Sequence, residues 1–220
     1  MGKFFDLDGP FISGLSKMAD IFILNLLFIL CSLPVFTIGA SCTAMYYVTL
    51  KMVKDEESYI AKSFFKSFKQ NFKQGTVIWL IMAVIGTVIY LDSKVMNGDY
   101  AGVIVPDGMA KVMSVIIMAS AILYTFTFSF VFPVLARFDN TVKNTIKNAL
   151  IMSIRHLKST IFIVIIDVLP LIVIYFVPRA LILVFFALAL CAYCNSYFFV
   201  KIFKLYMPEE NIVSDEEFEI

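Results

Sequence analysis

Charged residues are scarce in this sequence. Asp, Glu, Lys and Arg make up 16% of its 220 residues, and hydrophobic residues make up 60%, whereas an ordinary globular domain is about a quarter charged. The apolar residues lie in blocks separated by charged segments, as expected of a chain surrounded by lipid. The net charge of +1 carries no overall signature of nucleic-acid binding. These features argue against a water-soluble domain and predict an integral membrane protein.

Residues that carry familiar chemistry are equally few. His156 is the only histidine, and the sequence shows no partner that would make it a general base. Cys191 and Cys194 have the spacing of a metal-binding pair, but they lie in an apolar block, and one pair cannot complete a tetrahedral zinc site. Phosphate-binding Gly-Lys motifs, serine-nucleophile elbows and zinc-protease signatures are absent. We therefore expect a non-enzymatic protein with no metal and no cofactor.

The uncharged stretches predict an all-α, polytopic fold, with one transmembrane helical domain over residues 1–207 and an acidic tail over residues 208–220. Pro34 divides the first stretch into two helices, because proline lacks a backbone donor and clashes with the preceding turn. These two helices either both span the membrane or form a compact, partly re-entrant hairpin. The six predicted transmembrane helices cover about residues 18–33, 37–53, 75–91, 112–136, 159–177 and 180–200.

Two basic segments, at about residues 55–74 and 139–157, are predicted to be amphipathic helices. In the first, apolar and aromatic residues recur every three or four positions opposite lysines, which is typical of a helix at a membrane interface. A helix packed under the transmembrane bundle is the alternative. The basic side chains could bind anionic lipid headgroups or dock onto a cytoplasmic protein, and the sequence does not separate these options. They are Lys62, Lys66, Lys69, Lys73, Lys143, Lys147, Arg155 and Lys158.

The distribution of basic residues predicts the orientation. When the predicted helices are assigned to alternate sides, all but Lys94, Lys111 and Arg179 of the 18 Lys and Arg residues fall on one side. Basic residues are retained on the cytoplasmic side of short loops. We therefore predict a multi-pass protein of the bacterial cytoplasmic membrane with both termini and both basic helices in the cytoplasm.

Asp167 is the most unusual residue within a predicted span. A carboxylate near the middle of a transmembrane helix costs several kcal/mol unless it is paired, solvated or protonated. Counted along the helices at about 1.5 Å per residue, Asn25, Asn195 and Ser129 lie at a comparable depth in the inner half of the bundle. This polar layer is either a substrate or proton site or a set of interhelical hydrogen bonds that hold the helices together.

A weak internal repeat also emerges. The second predicted span, first basic helix and third span mirror the fourth span, second basic helix and fifth span. The segment 67–74 can be laid over 153–159, with one residue gapped. Separately, the small residues Gly39, Ala40, Ser41 and Ala44 are suited to close packing of helices.

Three blocks of sequence resemble the YesL-like bacterial membrane proteins, a family of unknown function. They are the run from Asn25 through Pro34 to Tyr46, the block 64–74, and the block 132–140 that contains Pro133. Phe28 departs from the tryptophan expected there. The resemblance implies a role in carbohydrate uptake in Gram-positive bacteria, with sugar ABC-transporter subunits as partners. Apart from that resemblance, the lipid bilayer and further copies of the chain are expected partners. An autonomous small-molecule transporter with a polar site around Asp167 is the alternative.

Overall fold

A computed structural model describes residues 10–56, 59–96, 107–176 and 181–207. Within these ranges the chain is helical apart from short turns. A 3-10 turn, Val35–Thr37, joins the first two of seven described α-helices. The helices are α1 (Pro10–Ser32), α2 (Ile38–Val53), α3 (Ile60–Met96), α4 (Asp107–Arg137), α5 (Val142–Arg155), α6 (Leu157–Phe176) and α7 (Leu181–Lys204).

The break predicted at Pro34 is confirmed. Helix α1 ends at Ser32, and α2 begins at Ile38 after the 3-10 turn. The hydroxyl of Thr37 lies 2.6 Å from the carbonyl oxygen of Pro34 and also bonds to the carbonyl oxygen of Cys31. The bond to Cys31 occupies a carbonyl group that the end of α1 leaves without a helical partner.

Helix α2 is the central helix of the bundle. Eleven of its 16 residues are buried, and it packs against α1, α3, α4 and α7. At about 1.5 Å per residue it is about 24 Å long, shorter than the roughly 30 Å hydrocarbon core of a bilayer. Among the described helices, α2 is not long enough to count as a candidate membrane span. Its neighbours shield it, so its serine and threonine side chains are kept away from lipid.

Glycines allow α2 and α3 to cross at very short distance. A Cβ added to Gly39 would lie 2.2 Å from the carbonyl oxygen of Gly75, and a Cβ added to Gly75 would lie 2.9 Å from the backbone of Ala40. Real Cβ atoms essentially never come that close to backbone atoms. The small residues predicted to pack helices together therefore do so at this crossing, and Gly75 on α3 is their partner.

The first basic helix and the third predicted span are one element. We expected separate helices over residues 55–74 and 75–91, but α3 runs without a break for 37 residues, or about 55 Å. That division is therefore wrong. The buried side chains of Ile60, Phe64 and Ser67 pack the basic half of α3 against the bundle, as in the alternative with a packed helix.

The second basic helix, in contrast, is separate. Thr141 caps α5, its hydroxyl accepting a hydrogen bond from the backbone nitrogen of Asn144 (3.4 Å). The chain then turns by 105° between α5 and α6, at His156. Predicted helices at 139–157 and 159–177 correspond in position to α5 and α6.

By length and composition, three described helices could cross a membrane, at Gly14–Ser32, Ile60–Met96 and Gly108–Arg137. The bent pair α5–α6 adds a fourth if it is one span. The predicted all-helical membrane fold is confirmed at this level, and the total of six spans stays a prediction. Helix α7 occupies the position of the sixth predicted span, and the predicted tail at 208–220 lies outside the described residues.

Aromatic rings connect the core across helices. Phe199 of α7 contacts Tyr46 of α2 and Phe130 of α4, with ring centroids 5.7 and 4.9 Å apart. Phe203, one turn further along α7, contacts Phe138 beyond the end of α4, at 5.2 Å. These contacts tie α2, α4 and α7 together directly beside the polar side chains described next.

Candidate functional site

Three of the four predicted intramembrane polar residues meet at one point. The amide nitrogen Nδ2 of Asn195 donates a hydrogen bond to Oδ1 of Asp167 (2.7 Å), and the hydroxyl of Ser129 donates to Oδ2 (3.2 Å). Asn195 is fully buried and Ser129 is buried. Both oxygens of Asp167 on α6 are therefore held by donors from α7 and α4. The sequence predicted a polar layer, and the folded chain brings these three together within it.

Two prolines lie next to this group, and both change the helical hydrogen bonding in the same way. Proline has no N–H to donate to the carbonyl four residues earlier. Pro133 therefore leaves the carbonyl of Ser129 without its helical donor, and Pro170 does the same to the carbonyl of Ile166. The thiol of Cys191 reaches the oxygen of Ile166 at 3.5 Å, which is a weak contact. Each proline thus removes one helical hydrogen bond close to the Ser129–Asp167 bond, while α4 and α6 stay continuous.

Further polar side chains from α2 and α7 extend the group. The hydroxyl of Tyr46 lies beside the Asn195 side chain, and Tyr46 interacts electrostatically with Asp167. Next to Asn195 in sequence, the hydroxyl of Ser196 bonds to that of Thr49 on α2 (2.8 Å). Sequence reasoning missed Tyr46, Thr49 and Ser196. Ser and Thr residues within uncharged stretches were a signal that could have found Thr49 and Ser196. In the sequence, Tyr46 looks like any other aromatic core residue.

The electrostatics of Asp167 are unusual because no basic group balances it within the described residues. Neither described ion pair includes Asp167, and its close partners are the neutral side chains of Asn195 and Ser129. Burying a carboxylate without a counter-charge is costly. In addition, Oδ1 of Asn195 is buried with no hydrogen-bond partner. The site therefore presents oxygen atoms that neighbouring donors do not fully satisfy.

Asn25, the fourth predicted polar residue, has a different role. Its Oδ1 accepts a hydrogen bond from the backbone nitrogen of Ala189 (2.9 Å), about 9 Å along α7 from Asn195 at 1.5 Å per residue. This bond fastens α1 to α7. Asn25 thus serves as an interhelical hydrogen bond, and none of its described hydrogen bonds joins it to Asp167.

The eight basic residues predicted to face lipid or a partner are all exposed. Four lie on the first half of α3, three lie on α5, which contacts α3, and Lys158 lies at the start of α6. The side chain of Gln74 on α3 donates to the carbonyl oxygen of Asn140 (3.2 Å) before α5 and so joins the two segments. We call this surface the basic face. Its members are Lys62, Lys66, Lys69, Lys73, Lys143, Lys147, Arg155 and Lys158.

The basic face is not neutralised by the described part of the protein. The described part of the protein has two ion pairs, Lys17–Asp55 and Lys54–Glu56, and neither involves a residue of the basic face. Arg155 packs over the ring of Tyr206, 5.8 Å from its centroid. Since Tyr206 follows α7, this contact and the 3.0 Å bond between His156 Nε2 and the Tyr206 hydroxyl hold the end of α5 against α7.

A sizeable cavity lies elsewhere. It is an apolar groove of about 690 Å³ between α3, α4 and α5, lined by residues such as Met82, Leu123 and Leu150. None of its lining residues belongs to α6 or α7, so it does not include Asp167. Its open, apolar wall is suited to lipid chains. Among the described residues, no group of three or more His, Cys, Asp or Glu side chains is placed to hold a metal ion.

Comparison with known proteins shows which proteins this chain is similar to. Residues 21–93 match a protein family of unknown function, DUF624. The chain is also 25% identical over 174 residues to the uncharacterized protein YteU of Bacillus subtilis, covering 79% of this chain and 74% of that protein. No solved structure matches significantly. The chain is therefore a helical membrane protein whose residues 21–93 are similar to the DUF624 family, in agreement with the resemblance found in its sequence.

Proposed function

We propose that this protein is a non-enzymatic accessory component of bacterial carbohydrate uptake, and that it binds a sugar-transporter subunit through the basic face. The observation that carries the proposal is the unpaired basic surface of α3 and α5. The link to carbohydrate uptake comes from the family resemblance. The membrane location, both termini in the cytoplasm and the absence of catalysis are parts of the same proposal.

The geometry of the basic face supports docking. Four lysines extend along the first half of α3, and the adjoining α5 contributes three more exposed basic residues before the bend, with Lys158 just after it. Apolar residues on the same helices, such as Phe64 and Ala149, are buried in the bundle, so the charges are presented on a supported surface. Electrostatic complementarity at such a surface accelerates and orients association.

The experiment is mild-detergent purification of the tagged protein from its host, followed by mass spectrometry of the proteins recovered with it. Recovery of sugar-transporter permeases or their ATPase is the expected result. The same purification is repeated with the double variants Lys66→Gln/Lys73→Gln and Lys143→Gln/Lys147→Gln. Each should reduce recovery, because removing two positive charges weakens a complementary interface.

The matched control is Lys201→Gln/Lys204→Gln. These lysines are exposed at the end of α7 and lie outside the basic face, so the variant removes the same charge without touching the proposed surface. Unchanged recovery in the control and reduced recovery in the other two variants support the proposal. Recovery of the protein alone, or equal losses in all three variants, contradicts it. Anionic lipid as the only material retained by the basic face would assign that face to the bilayer.

Orientation is tested separately with single cysteines in a background that lacks the four native ones. A cysteine at position 204 should react with impermeant reagents only after the membrane is opened, because we place this end in the cytoplasm. A cysteine at position 111 should react in intact cells. The reverse pattern would place the basic face on the outer side and remove the proposed access to a cytoplasmic partner.

An autonomous transporter is the second candidate, and the convergence of Asp167, Ser129 and Asn195 favours it. Buried ionisable residues within membrane helices commonly mark substrate or ion pathways. Uptake assays with Asp167→Asn separate this function from a purely structural role. Lost uptake with normal expression supports a transporter, whereas retained uptake with altered stability supports a hydrogen bond that only joins helices.

A further inference from the structure

The polar group around Asp167 is rich in oxygen acceptors, one of which has no described hydrogen-bond partner. Asp167 accepts one bond from Asn195 and one from Ser129, which uses the hydroxyl proton of Ser129. Oδ1 of Asn195 remains unpaired although the residue is fully buried. A buried acceptor and a partly buried carboxylate of this kind both favour a nearby positive charge.

The backbone supplies more oxygen at the same level. The carbonyl of Ile166 lacks its usual helical donor because Pro170 has no N–H, and the thiol of Cys191 lies 3.5 Å from its oxygen. The carbonyl of Ser129 lacks its helical donor in the same way, because Pro133 has no N–H. In transporters, carbonyl groups that lack a helical donor coordinate small cations, and α4 and α6 each offer one such group without being interrupted.

The charge of the site selects the kind of cation. Asp167 is its one acidic residue among the described side chains, and the other oxygens are amide, hydroxyl and carbonyl groups. Hard cations bind such oxygen ligands, and divalent ions generally require a higher count of carboxylates or retained waters. One carboxylate with several neutral oxygens matches a single positive charge.

We propose that Asp167, Asn195 and Ser129 form a sodium-binding site between α4, α6 and α7. Asp167 supplies the negative charge, and Oδ1 of Asn195 and the hydroxyl of Ser129 supply neutral ligands. The carbonyl group of Ile166 adjoins them. Binding draws α4, α6 and α7 together, because each contributes a ligand. This site does not depend on the accessory role proposed above, and either proposal can fail without the other.

The test is thermal unfolding of the purified full chain in detergent, with NaCl, KCl or choline chloride at equal ionic strength. A ligand that binds only the folded state raises the unfolding temperature in a saturable way. We expect a saturable rise with sodium that potassium and choline do not reproduce. Asp167→Asn should abolish the rise, and Ser129→Ala should increase the half-saturating sodium concentration about tenfold.

Ser196→Ala is the matched control. It removes a buried hydroxyl from α7 next to Asn195 and breaks the bond to Thr49, without removing a proposed ligand. The sodium-dependent rise should persist in this variant at the wild-type half-saturating concentration. If Asp167→Asn cannot be purified, the contrast between Ser129→Ala and Ser196→Ala decides the question.

Three results overturn the proposal. Equal effects of the three salts show that sodium has no specific site. A stability that depends on pH in the wild type but not in Asp167→Asn, with no sodium effect, shows that Asp167 binds a proton instead. Loss of the sodium effect in Ser196→Ala to the same extent as in Ser129→Ala would show that these substitutions act through general loosening of the bundle.

Discussion

The two basic segments of this chain follow corresponding predicted spans, yet they continue in different ways. The first passes straight into a membrane helix at Gln74 and Gly75 within α3. The second stops at His156, and the chain bends by 105° before α6. Local preference suggests the opposite, since glycine disfavours helix by about 1 kcal/mol relative to alanine and the second junction contains neither glycine nor proline.

Contacts with distant parts of the chain explain this reversal. Gly75 stays helical where its lack of a side chain lets α3 touch Gly39 and Ala40 of α2. At the other junction, the Thr160 hydroxyl lies 2.6 Å from the Ser153 carbonyl oxygen across the bend, and His156 bonds to Tyr206 beyond α7. The difference teaches that packing partners, rather than local helix propensity, decide at which of two similar junctions the helix continues without a break.

Substitution at the α2–α3 crossing should have the largest effect. Gly39→Ala would place a methyl group 2.2 Å from the Gly75 carbonyl oxygen, so the helices must separate. We expect a loss of roughly 3 kcal/mol or more in the free energy of unfolding, seen as a large drop in thermal stability in detergent. Gly108→Ala is the control, because its added Cβ meets nothing within 4 Å. Equal stability of the two variants would contradict the crossing.

The link between α6 and its neighbours should be the next most sensitive. Asp167→Ala leaves the buried donors of Asn195 and Ser129 unpaired, and each such loss costs about 1–3 kcal/mol. Asp167→Asn can still accept a hydrogen bond and removes the charge. We therefore expect thermal unfolding at a clearly lower temperature for the alanine variant than for the asparagine variant. Identical unfolding temperatures would show that these bonds do not stabilise the packing of α6 against α4 and α7.

Loosening the bend should have a smaller, local effect. Tyr206→Phe removes the hydroxyl that bonds to His156 (3.0 Å) but keeps the ring that Arg155 covers. We expect a loss of about 1 kcal/mol and faster hydrogen exchange around residues 153–160. Exchange around residues 70–80, where α3 is straight, should not change. Equal acceleration at both junctions would indicate that the bend is not held locally.

Changes on the basic face should affect stability least. Lys66→Gln and Lys147→Gln alter exposed side chains that form no ion pair in the described structure. Each should change the free energy of unfolding by less than about 0.5 kcal/mol, as measured by thermal unfolding. A larger loss of unfolding free energy in Lys66→Gln than in Lys147→Gln would show that Lys66 of α3 contributes to folding as well as to docking.

The intramembrane group shows how far sequence reasoning reaches toward a site. Asp167, Asn195 and Ser129 are predictable because polar residues in apolar helices are costly, and their depth follows from the helical rise. Their mutual hydrogen bonds are not predictable, since depth leaves the facing direction of each helix undetermined. The same uncertainty explains why Asn25 was grouped with Asp167 although it bonds to Ala189.

Composition and periodicity by themselves determine that this chain is a helical membrane protein, that Pro34 interrupts its first stretch, and that two segments expose basic side chains. These features depend on solvation and on neighbouring residues along the chain. Only the tertiary structure decides that the short α2 lies at the centre, that Gly75 is helical and that the chain bends at His156. The physical reason is that each of these outcomes depends on contacts between residues far apart in sequence, such as Gly39 with Gly75 and His156 with Tyr206.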